Sequence, residues 1–162
     1  MLPASLLDAA RRLLAAFESR GLTIALVESC TGGLTMAALT AIGGSSAVVD
    51  RGFVTYSNQS KTEMVGVPAE LIDRHGAVSQ VVAEAMAEGA LARSGADVTV
   101  AITGIAGPTG GTADKPVGLV HFAAVRRGGT PRRLRKVFPG NRDAVRLAAA
   151  ITALELALEA AS

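Results

Sequence analysis

The chain has 162 residues, 49% of them hydrophobic and 19% charged, which suits one domain with a full core and excludes a disordered composition. Its formal net charge of +2 is too small to indicate nucleic-acid binding, and one cysteine excludes an internal disulfide and a cysteine-rich zinc site. The start predicts an amphipathic helix rather than a signal peptide, and no stretch has the apolar length of a membrane span. We therefore expect residues 1–162 to form one cytoplasmic domain without a membrane partner.

The first half of the chain alternates between strand and helix patterns. Apolar residues at helical spacing predict a first helix that ends at Gly21, and LTIALVE predicts a central strand covered on both faces. GGLTMAALTAI predicts a helix of small residues. SAVVDRGFVTY predicts a strand that Ser45 and Ser46 begin and Tyr56 ends. Short helices follow, and Ser79 is a favourable N-cap for a longer one.

The second half predicts a strand in ADVTVAITG, then a hairpin that turns at Gly128 and Gly129. A last helix begins near Asn141 and places Leu147, Ile151, Leu154 and Leu158 along one stripe. Strands and helices that alternate early, with an antiparallel hairpin late, predict an α/β fold: a three-layer α/β/α sandwich on a mixed sheet.

Two predicted strands end in unusual loops, at the edge where open α/β sheets bind ligands. The loop ESCTGG runs directly into a helix, so the backbone N–H groups from Thr31 to Leu34 are candidates to face an anion. The loop TGIAGPTGGTADKPVG, residues 103–118, offers three threonine hydroxyls and Lys115. Neither loop has a Walker or dinucleotide-binding pattern. Phosphate binding and a plain surface turn both remain open for each loop.

Lys61 lies one helical turn beyond Ser57, after the second predicted strand. Such a lysine is usually solvated, but one buried beside a serine forms the Ser–Lys alternative to a Ser–His–Asp triad. The amine must then be neutral, which requires its pKa to fall from ~10.4 to ~7, or roughly 4–5 kcal/mol. Desolvation in a site rich in Val, Ile and Ala supplies an effect of that size.

Ser29 and Cys30 compete for the role of nucleophile, since adjacent residues at a strand end point to different sides. The histidines, His75 and His121, have the pattern of packing residues, and no spacing fits a metal site. The basic run RRGGTPRRLRK is typical of a solvated hairpin rim, although nucleic-acid binding is an alternative reading.

The ordered set of motifs resembles one family over about residues 5–155. The motifs are VESCTGGL, GGSSAVVDRGFVTYSNQSK, GVP, HGAVS, MAEGAL, AITGIAGPTGGTADKPVG and FPGNRDAVR. Together they are similar to the CinA C-terminal domain family, specifically its stand-alone nicotinamide-nucleotide amidohydrolases. The resemblance implies hydrolysis of the carboxamide of nicotinamide mononucleotide to nicotinate mononucleotide and ammonia, which serves pyridine-nucleotide recycling and needs neither metal nor cofactor.

The resemblance also implies roles for individual residues. Ser29 and Lys61 match the family's Ser–Lys pair, Ser45 and Ser46 its glycine-serine loop, and Tyr56 its tyrosine. In this reading Ser29 attacks the amide, Lys61 accepts the proton, and Ser46 or Tyr56 relays that proton or holds Lys61. Ser46 is the second choice as nucleophile.

The same reading assigns binding roles to backbone and loop groups. Amides at Thr31, Gly32 and Gly33 are expected to stabilise the oxyanion, and the loop after the second covered strand to hold phosphate and ribose. The predicted substrate-binding residues are Thr31, Gly32, Gly33, Ser45, Thr103, Gly104, Gly107, Gly111, Thr112 and Lys115.

Two other functions stay open from the sequence. One is a catalytically idle nucleotide-binding module linked to competence or DNA damage. The other is an interaction protein that touches nucleic acid through the basic hairpin. The small-residue helices also indicate self-association into a homo-oligomer.

Overall fold

The computed structural model describes residues 1–162 and contains five strands and six α-helices. In chain order they are α1 (Ala4–Ser19), β1 (Ile24–Glu28), α2 (Leu34–Thr40), β2 (Val49–Val54), α3 (Asn58–Val65), α4 (Ala69–His75), α5 (Gln80–Ala92), β3 (Val98–Gly104), β4 (Leu119–Arg126), β5 (Arg132–Val137) and α6 (Arg142–Ala161). None of the helices combines the length and hydropathy that crossing a bilayer requires.

The strands form one mixed sheet in the order β2-β1-β3-β4-β5. β1 is parallel to both of its neighbours, β2 and β3, whereas β4 runs antiparallel to β3 and β5. The carboxyl ends of β1, β2 and β3 therefore meet at one edge of the sheet. This edge is where ligands collect in open α/β sheets.

Helices cover both faces of the sheet, because residues along the central strands alternate between two cores. In β3, Val98, Val100 and Ile102 belong to a core of 29 buried residues that includes α1, α2 and α6. Ala101 belongs to a core of 12 buried residues that includes residues of α3, α4 and α5. The predicted three-layer α/β/α architecture, with its late hairpin, is confirmed.

One local prediction was wrong. Ser45 and Ser46 do not begin a strand: Ser45–Ala47 form a single 3-10 turn after Gly44, and β2 starts only at Val49. A serine-rich turn closed by its own backbone hydrogen bond, here from Val48 N–H to the Ser45 carbonyl at 3.0 Å, competes with strand pairing.

The stripe predicted for α6 packs against the larger core but is only partly buried. Leu154 is fully buried, whereas Leu147, Ile151 and Leu158 pack at the margin of the larger core. The buried face is made mainly of alanines, including Ala149, Ala150, Ala153 and Ala157. Small side chains allow the helix to lie close to the sheet.

A glycine sets the distance between α5 and α3. Gly89 of α5 faces the end of α3, and a Cβ at this position would overlap the carbonyl oxygen of Val65. Val65 and Val67 are fully buried against Val82 and Met86 in the smaller core. The missing side chain at Gly89 thus lets α3, which carries Lys61, pack tightly on α5.

Replacing Gly89 with Ala should lower the free energy of unfolding by about 1–3 kcal/mol, because the new methyl group collides with rigid backbone. Urea denaturation monitored by circular dichroism measures the change. Gly95→Ala is the matched control, since nothing lies within 4 Å of a Cβ there. Equal stability of the two variants would contradict the proposed tight packing.

Candidate active site

The three parallel strands deliver polar groups to a single cavity. Ser29 directly follows β1, Tyr56 follows β2, and Thr103 and Gly104 end β3. All four line a cavity of about 300 Å³ together with Lys61. This volume is at the lower end of the range for small-molecule sites, roughly 300–1,000 Å³.

The side chains of Ser29 and Lys61 are in contact inside this cavity. Lys61 Nζ lies 3.0 Å from Ser29 Oγ, although the two residues are 32 positions apart in the chain. Lys61 is only 1% exposed, and Ser29 is 8% exposed. The lysine is therefore not solvated, and the pair has the separation of a nucleophile and its base.

The surroundings of Lys61 raise the fraction of neutral amine. Its Nζ donates hydrogen bonds to the carbonyl of Thr55 at 2.7 Å and to the carbonyl of Tyr56 at 3.4 Å, and it forms no salt bridge. Burial lowers the pKa of Lys61 from its ordinary 10.5 to about 8, so about one amine in ten is neutral at pH 7. A neutral amine has two N–H groups and one lone pair. The two carbonyls take the N–H groups, which leaves the lone pair for the hydroxyl of Ser29.

Cys30 is poorly suited to be the nucleophile. Its side chain is 6% exposed and belongs to the larger hydrophobic core. Burial raises the pKa of the Cys30 thiol to about 11, so the thiol stays protonated near neutral pH. Because only the thiolate is strongly nucleophilic, Cys30 is unreactive in this state. The geometry and the charge state both favour Ser29.

Glu28 caps α2, the helix that follows residues 29–33. These residues are called the nucleophile loop below, after the candidate nucleophile Ser29. Its buried carboxylate accepts hydrogen bonds from the backbone N–H groups of Gly33, Thr35 and Met36 at 3.2, 3.1 and 2.8 Å. A carboxylate at this position satisfies donors that the first helical turn leaves unpaired. The amino end of α2 is thus occupied and does not receive a ligand.

The expected set of oxyanion donors must therefore be corrected. Gly33 N–H donates to Glu28, and Gly32 N–H donates to the carbonyl of Ser29 at 3.0 Å, so neither is free. Leu34 N–H is likewise engaged, by the carbonyl of Thr31 at 3.1 Å. The backbone N–H groups of Cys30 and Thr31 donate to no protein acceptor. These two N–H groups are the ones that the loop leaves free; Cys30 lines the cavity, whereas Thr31 is fully buried and, like Gly32 and Gly33, does not line it.

The loop after β3 contributes to the cavity mainly through its first half. Gly104, Gly107, Thr109 and Gly110 line the cavity, whereas Gly111 and Thr112 lie outside it. The hydroxyl of Thr103 donates to the carbonyl of Ala77 at 2.8 Å, so it fixes the segment before α5 and has no second proton to donate to a ligand.

Lys115 does not line the cavity. Its ammonium donates to the carbonyl of His75 at 2.6 Å, at the carboxyl end of α4. Helix carboxyl ends attract cations, which explains this placement. Thr112 is part of the same local structure, since its hydroxyl accepts a hydrogen bond from the Lys115 backbone N–H at 3.0 Å.

Within one chain, Ser45 and Ser46 lie far from the pair formed by Ser29 and Lys61. They precede β2, and β1 pairs in parallel with β2 from Ile24–Val49 to Glu28–Val54. Residues before β2 therefore lie at the edge of the sheet opposite to Ser29. Within one chain, Ser46 cannot relay a proton to Lys61 or replace Ser29, and Ser45 cannot bind the same ligand.

Tyr56 and Arg142 together form the outer rim of the cavity. The Tyr56 side chain is 62% exposed, and its hydroxyl accepts a hydrogen bond from Arg142 Nη2 at 3.1 Å. Arg142 Nη1 donates to the carbonyl of Gly107 at 2.7 Å. Tyr56 thus reaches Lys61 only through its backbone carbonyl, and its ring shapes the entrance.

Arg142 and Asn58 line the cavity but were absent from the predicted site. Arg142 belongs to FPGNRDAVR, a motif in the resemblance, and it opens α6 after the N-cap Asn141. That motif was the signal from which Arg142 could have been found. The residues around it, however, predict only the start of a helix and not a contact with the cavity. No carboxylate lines the cavity, so its ionised groups are cationic.

A larger hollow of about 690 Å³ lies between β5 and α6, on another part of the surface. Its lining combines cations with carboxylates and contains no buried nucleophile: Arg132, Arg133, Leu134, Lys136, Phe138, Thr152, Glu155, Leu156 and Glu159. The contact between Ser29 and Lys61 lies in the smaller cavity.

Comparison with known proteins assigns the chain to one family. Residues 7–161 match the sequence model described as the CinA C-terminal domain. The chain is 49% identical over 144 residues to a nicotinamide-nucleotide amidohydrolase, PncC, of Enterobacter agglomerans, covering 89% of this chain and 88% of that protein. It is 52% identical over 157 residues to a competence-damage inducible protein of Symbiobacterium thermophilum, covering 92% of this chain but only 36% of that longer protein.

Solved structures have the same fold. A competence/damage inducible protein from Agrobacterium tumefaciens superposes with a TM-score of 0.97 at 48% identity, covering 100% of this chain and 99% of that one. A competence damage-inducible protein from Klebsiella pneumoniae gives a TM-score of 0.91 at 36% identity, with 95% of each chain covered.

The buried amine should make stability depend on pH. Since the pKa of Lys61 is about 8 when folded and 10.5 when solvated, the unfolded chain binds more protons between these values, and stability rises with pH there. Wild type should gain about 3 kcal/mol relative to Lys61→Met between pH 8 and pH 10.5. Urea denaturation across this range measures the difference. Lys136→Met, at an exposed lysine, should show no such trend, and a flat Lys61→Met difference would mean that Lys61 is solvated.

Proposed function

The chain belongs to the CinA C-terminal domain family, and we propose that it hydrolyses the carboxamide of nicotinamide mononucleotide to nicotinate mononucleotide and ammonia. The observation that carries the proposal is the buried contact between Lys61 Nζ and Ser29 Oγ. The similarity to PncC over most of both chains supports the choice of substrate.

The pair provides the nucleophile and the general base. Ser29 Oγ attacks the amide carbon while its proton passes to the lone pair of Lys61, and the amide oxygen becomes an oxyanion. The C–N bond then breaks, and the Lys61 ammonium gives its proton to the leaving nitrogen, which departs as ammonia. Water attacks the resulting ester, again with Lys61 as base, and releases the carboxylate and free Ser29.

The cavity fits a small anionic substrate. Its two basic groups are Lys61, which must be neutral when the proposed cycle begins, and Arg142 at the rim, and no carboxylate opposes them. A phosphate bound by Arg142 and the amides of the 106–110 segment would leave the nicotinamide ring directed toward Ser29. Arginine suits this role because its planar fork binds phosphate with two parallel hydrogen bonds.

The idle-module alternative explains the buried lysine less well. Burying an amine with a lowered pKa costs stability at neutral pH, and a module that only binds a nucleotide gains nothing from it.

We also retain self-association, a cytoplasmic location and the absence of a nucleic-acid partner as predictions, which gel filtration, cell fractionation and salt-dependent DNA binding would test.

Wild-type protein should release ammonia from nicotinamide mononucleotide, and Ser29→Ala and Lys61→Met should each lower kcat by at least about 10³-fold, because each removes half of the dyad. A coupled ammonia assay measures the rates. Wild-type kcat/KM should rise with pH with a midpoint near pH 8, where half of Lys61 is neutral, and level off at higher pH.

Ser46→Ala is the matched control for these variants and should stay within about twofold of wild type, since Ser46 lies at the opposite edge of the sheet. An inactive wild type that still binds the nucleotide would instead support the idle module. Activity retained by Lys61→Met would remove the dyad from the mechanism.

Arg142→Ala should lower kcat/KM for the mononucleotide by about 10- to 100-fold, the value of one charge-assisted hydrogen-bond pair to phosphate. The same change should affect nicotinamide riboside, which lacks the phosphate, by less than about threefold. Steady-state ammonia release from both substrates measures the contrast.

Lys115→Ala is the control for Arg142→Ala, because Lys115 does not line the cavity and its ammonium is bound at the end of α4. It should change neither substrate's kinetics appreciably. Equal losses on mononucleotide and riboside in Arg142→Ala would show that Arg142 does not bind the phosphate.

A further inference from the structure

Arg146 reaches from α6 to the backbone of the nucleophile loop. Its Nε donates to the carbonyl of Cys30 at 3.2 Å, and its Nη2 donates to the carbonyl of Thr31 at 2.8 Å. The side chain is half-buried and forms no salt bridge with any carboxylate. Its two hydrogen bonds on this loop are therefore its principal interactions.

These two contacts determine which way the loop's peptide groups face. A trans peptide group is planar, and its C=O and N–H point in opposite directions. The Cys30 carbonyl and the Thr31 N–H belong to one peptide group, so anchoring the carbonyl on Arg146 directs the N–H away from α6. This N–H is one of the two groups of the loop without a protein acceptor.

The second contact closes the loop from the other side. The Thr31 carbonyl shares its peptide group with Gly32 N–H, which donates to the carbonyl of Ser29. The Ser29 carbonyl shares its own peptide group with the Cys30 N–H, the free donor at the cavity. Arg146 thus stabilises the turn that displays Ser29 and, through it, this donor. A cation on a carbonyl also polarises the peptide group, which strengthens the N–H as a donor.

We infer that Arg146 is a positioning residue for the reaction: by holding the Cys30 and Thr31 carbonyls it fixes the turn whose free N–H groups, above all that of Cys30 at the cavity, face the oxygen that becomes negative when Ser29 attacks. The inference rests on the proposed amide hydrolysis. It does not use the amino end of α2, which Glu28 already fills. Arg146 touches no reacting atom and acts through the peptide group.

Arg127 provides a matched comparison elsewhere in the molecule. It also binds backbone carbonyls through Nε and Nη2, those of Ala96, Leu91 and Ser94, but it lies outside the cavity. Replacing either arginine with lysine keeps the charge and removes the two-point contact. Any general cost of losing such a clamp should therefore appear in both variants.

The test compares wild type, Arg146→Lys and Arg127→Lys in two reactions. One is ammonia release from nicotinamide mononucleotide. The other is phosphonylation of Ser29 by a fluorophosphonate, in which the Oγ–P bond forms, the P–F bond breaks and the proton passes to Lys61. The second reaction needs the same oxyanion donor but no natural substrate. Thermal unfolding of each variant measures its stability.

Arg146→Lys should lower kcat by about 10- to 100-fold, somewhat less than the 10²- to 10³-fold loss on deleting a whole donor. Its KM should stay within about threefold, and the pH midpoint of the reaction should not move, because Lys61 is unchanged. Phosphonylation should slow by a similar factor. Arg127→Lys should match wild type in both reactions, whatever its melting temperature.

Three results would overturn the inference: unchanged kcat in Arg146→Lys, an equal loss in Arg127→Lys, or a rise in KM alone. The last would make Arg146 a substrate-binding residue. If wild type does not deamidate the mononucleotide but is phosphonylated, the proposed substrate fails while the phosphonylation rates still decide the role of Arg146. If wild type undergoes neither reaction, both proposals fail.

Discussion

The burial of one amine against one hydroxyl is the constraint on which the rest of this structure depends. Water would keep the ammonium of Lys61 charged, and a charged lysine cannot accept a proton from Ser29. The protein removes that water and offers the amine only backbone carbonyls and the serine. No carboxylate is placed beside Lys61, since a carboxylate would restore its charge.

Several parts of the fold serve this arrangement. The parallel pairing of β1 with β2 places Ser29 and the carbonyl of Thr55 at the same edge. Gly89 lets α3 pack closely on α5, so Lys61 enters from a helix that is fixed in the smaller core. A lysine has many rotamers to lose on burial, and rigid surroundings are what hold it beside the serine.

The first turns of α6 bind the catalytic loops from outside the sheet. Arg142 and Arg146 lie one helical turn apart and contact two different loops. Arg142 binds Gly107 in the loop that follows β3, and Arg146 binds Cys30 and Thr31 in the loop that follows β1. The nucleophile loop is held on its other side by Glu28. Its conformation is thus specified from both directions, which suits a site whose donors must be in place before the reaction.

The order of the periodic segments, and the glycines that end them, determined the α/β class, the covered strands and the late hairpin. This was possible because hydrophobic periodicity is a local property of each segment. The motifs likewise determined the family and directed attention to Ser29 and Lys61. Only the tertiary structure decided that Lys61 is buried, that Glu28 takes the amide of Gly33, and that Ser46 lies at the far edge of the sheet. Arg142 and Arg146 also contact the site, although they lie more than a hundred positions after Cys30 and Thr31 in the chain. Burial and long-range contact depend on how the elements pack against one another, and no local pattern of residues records that packing.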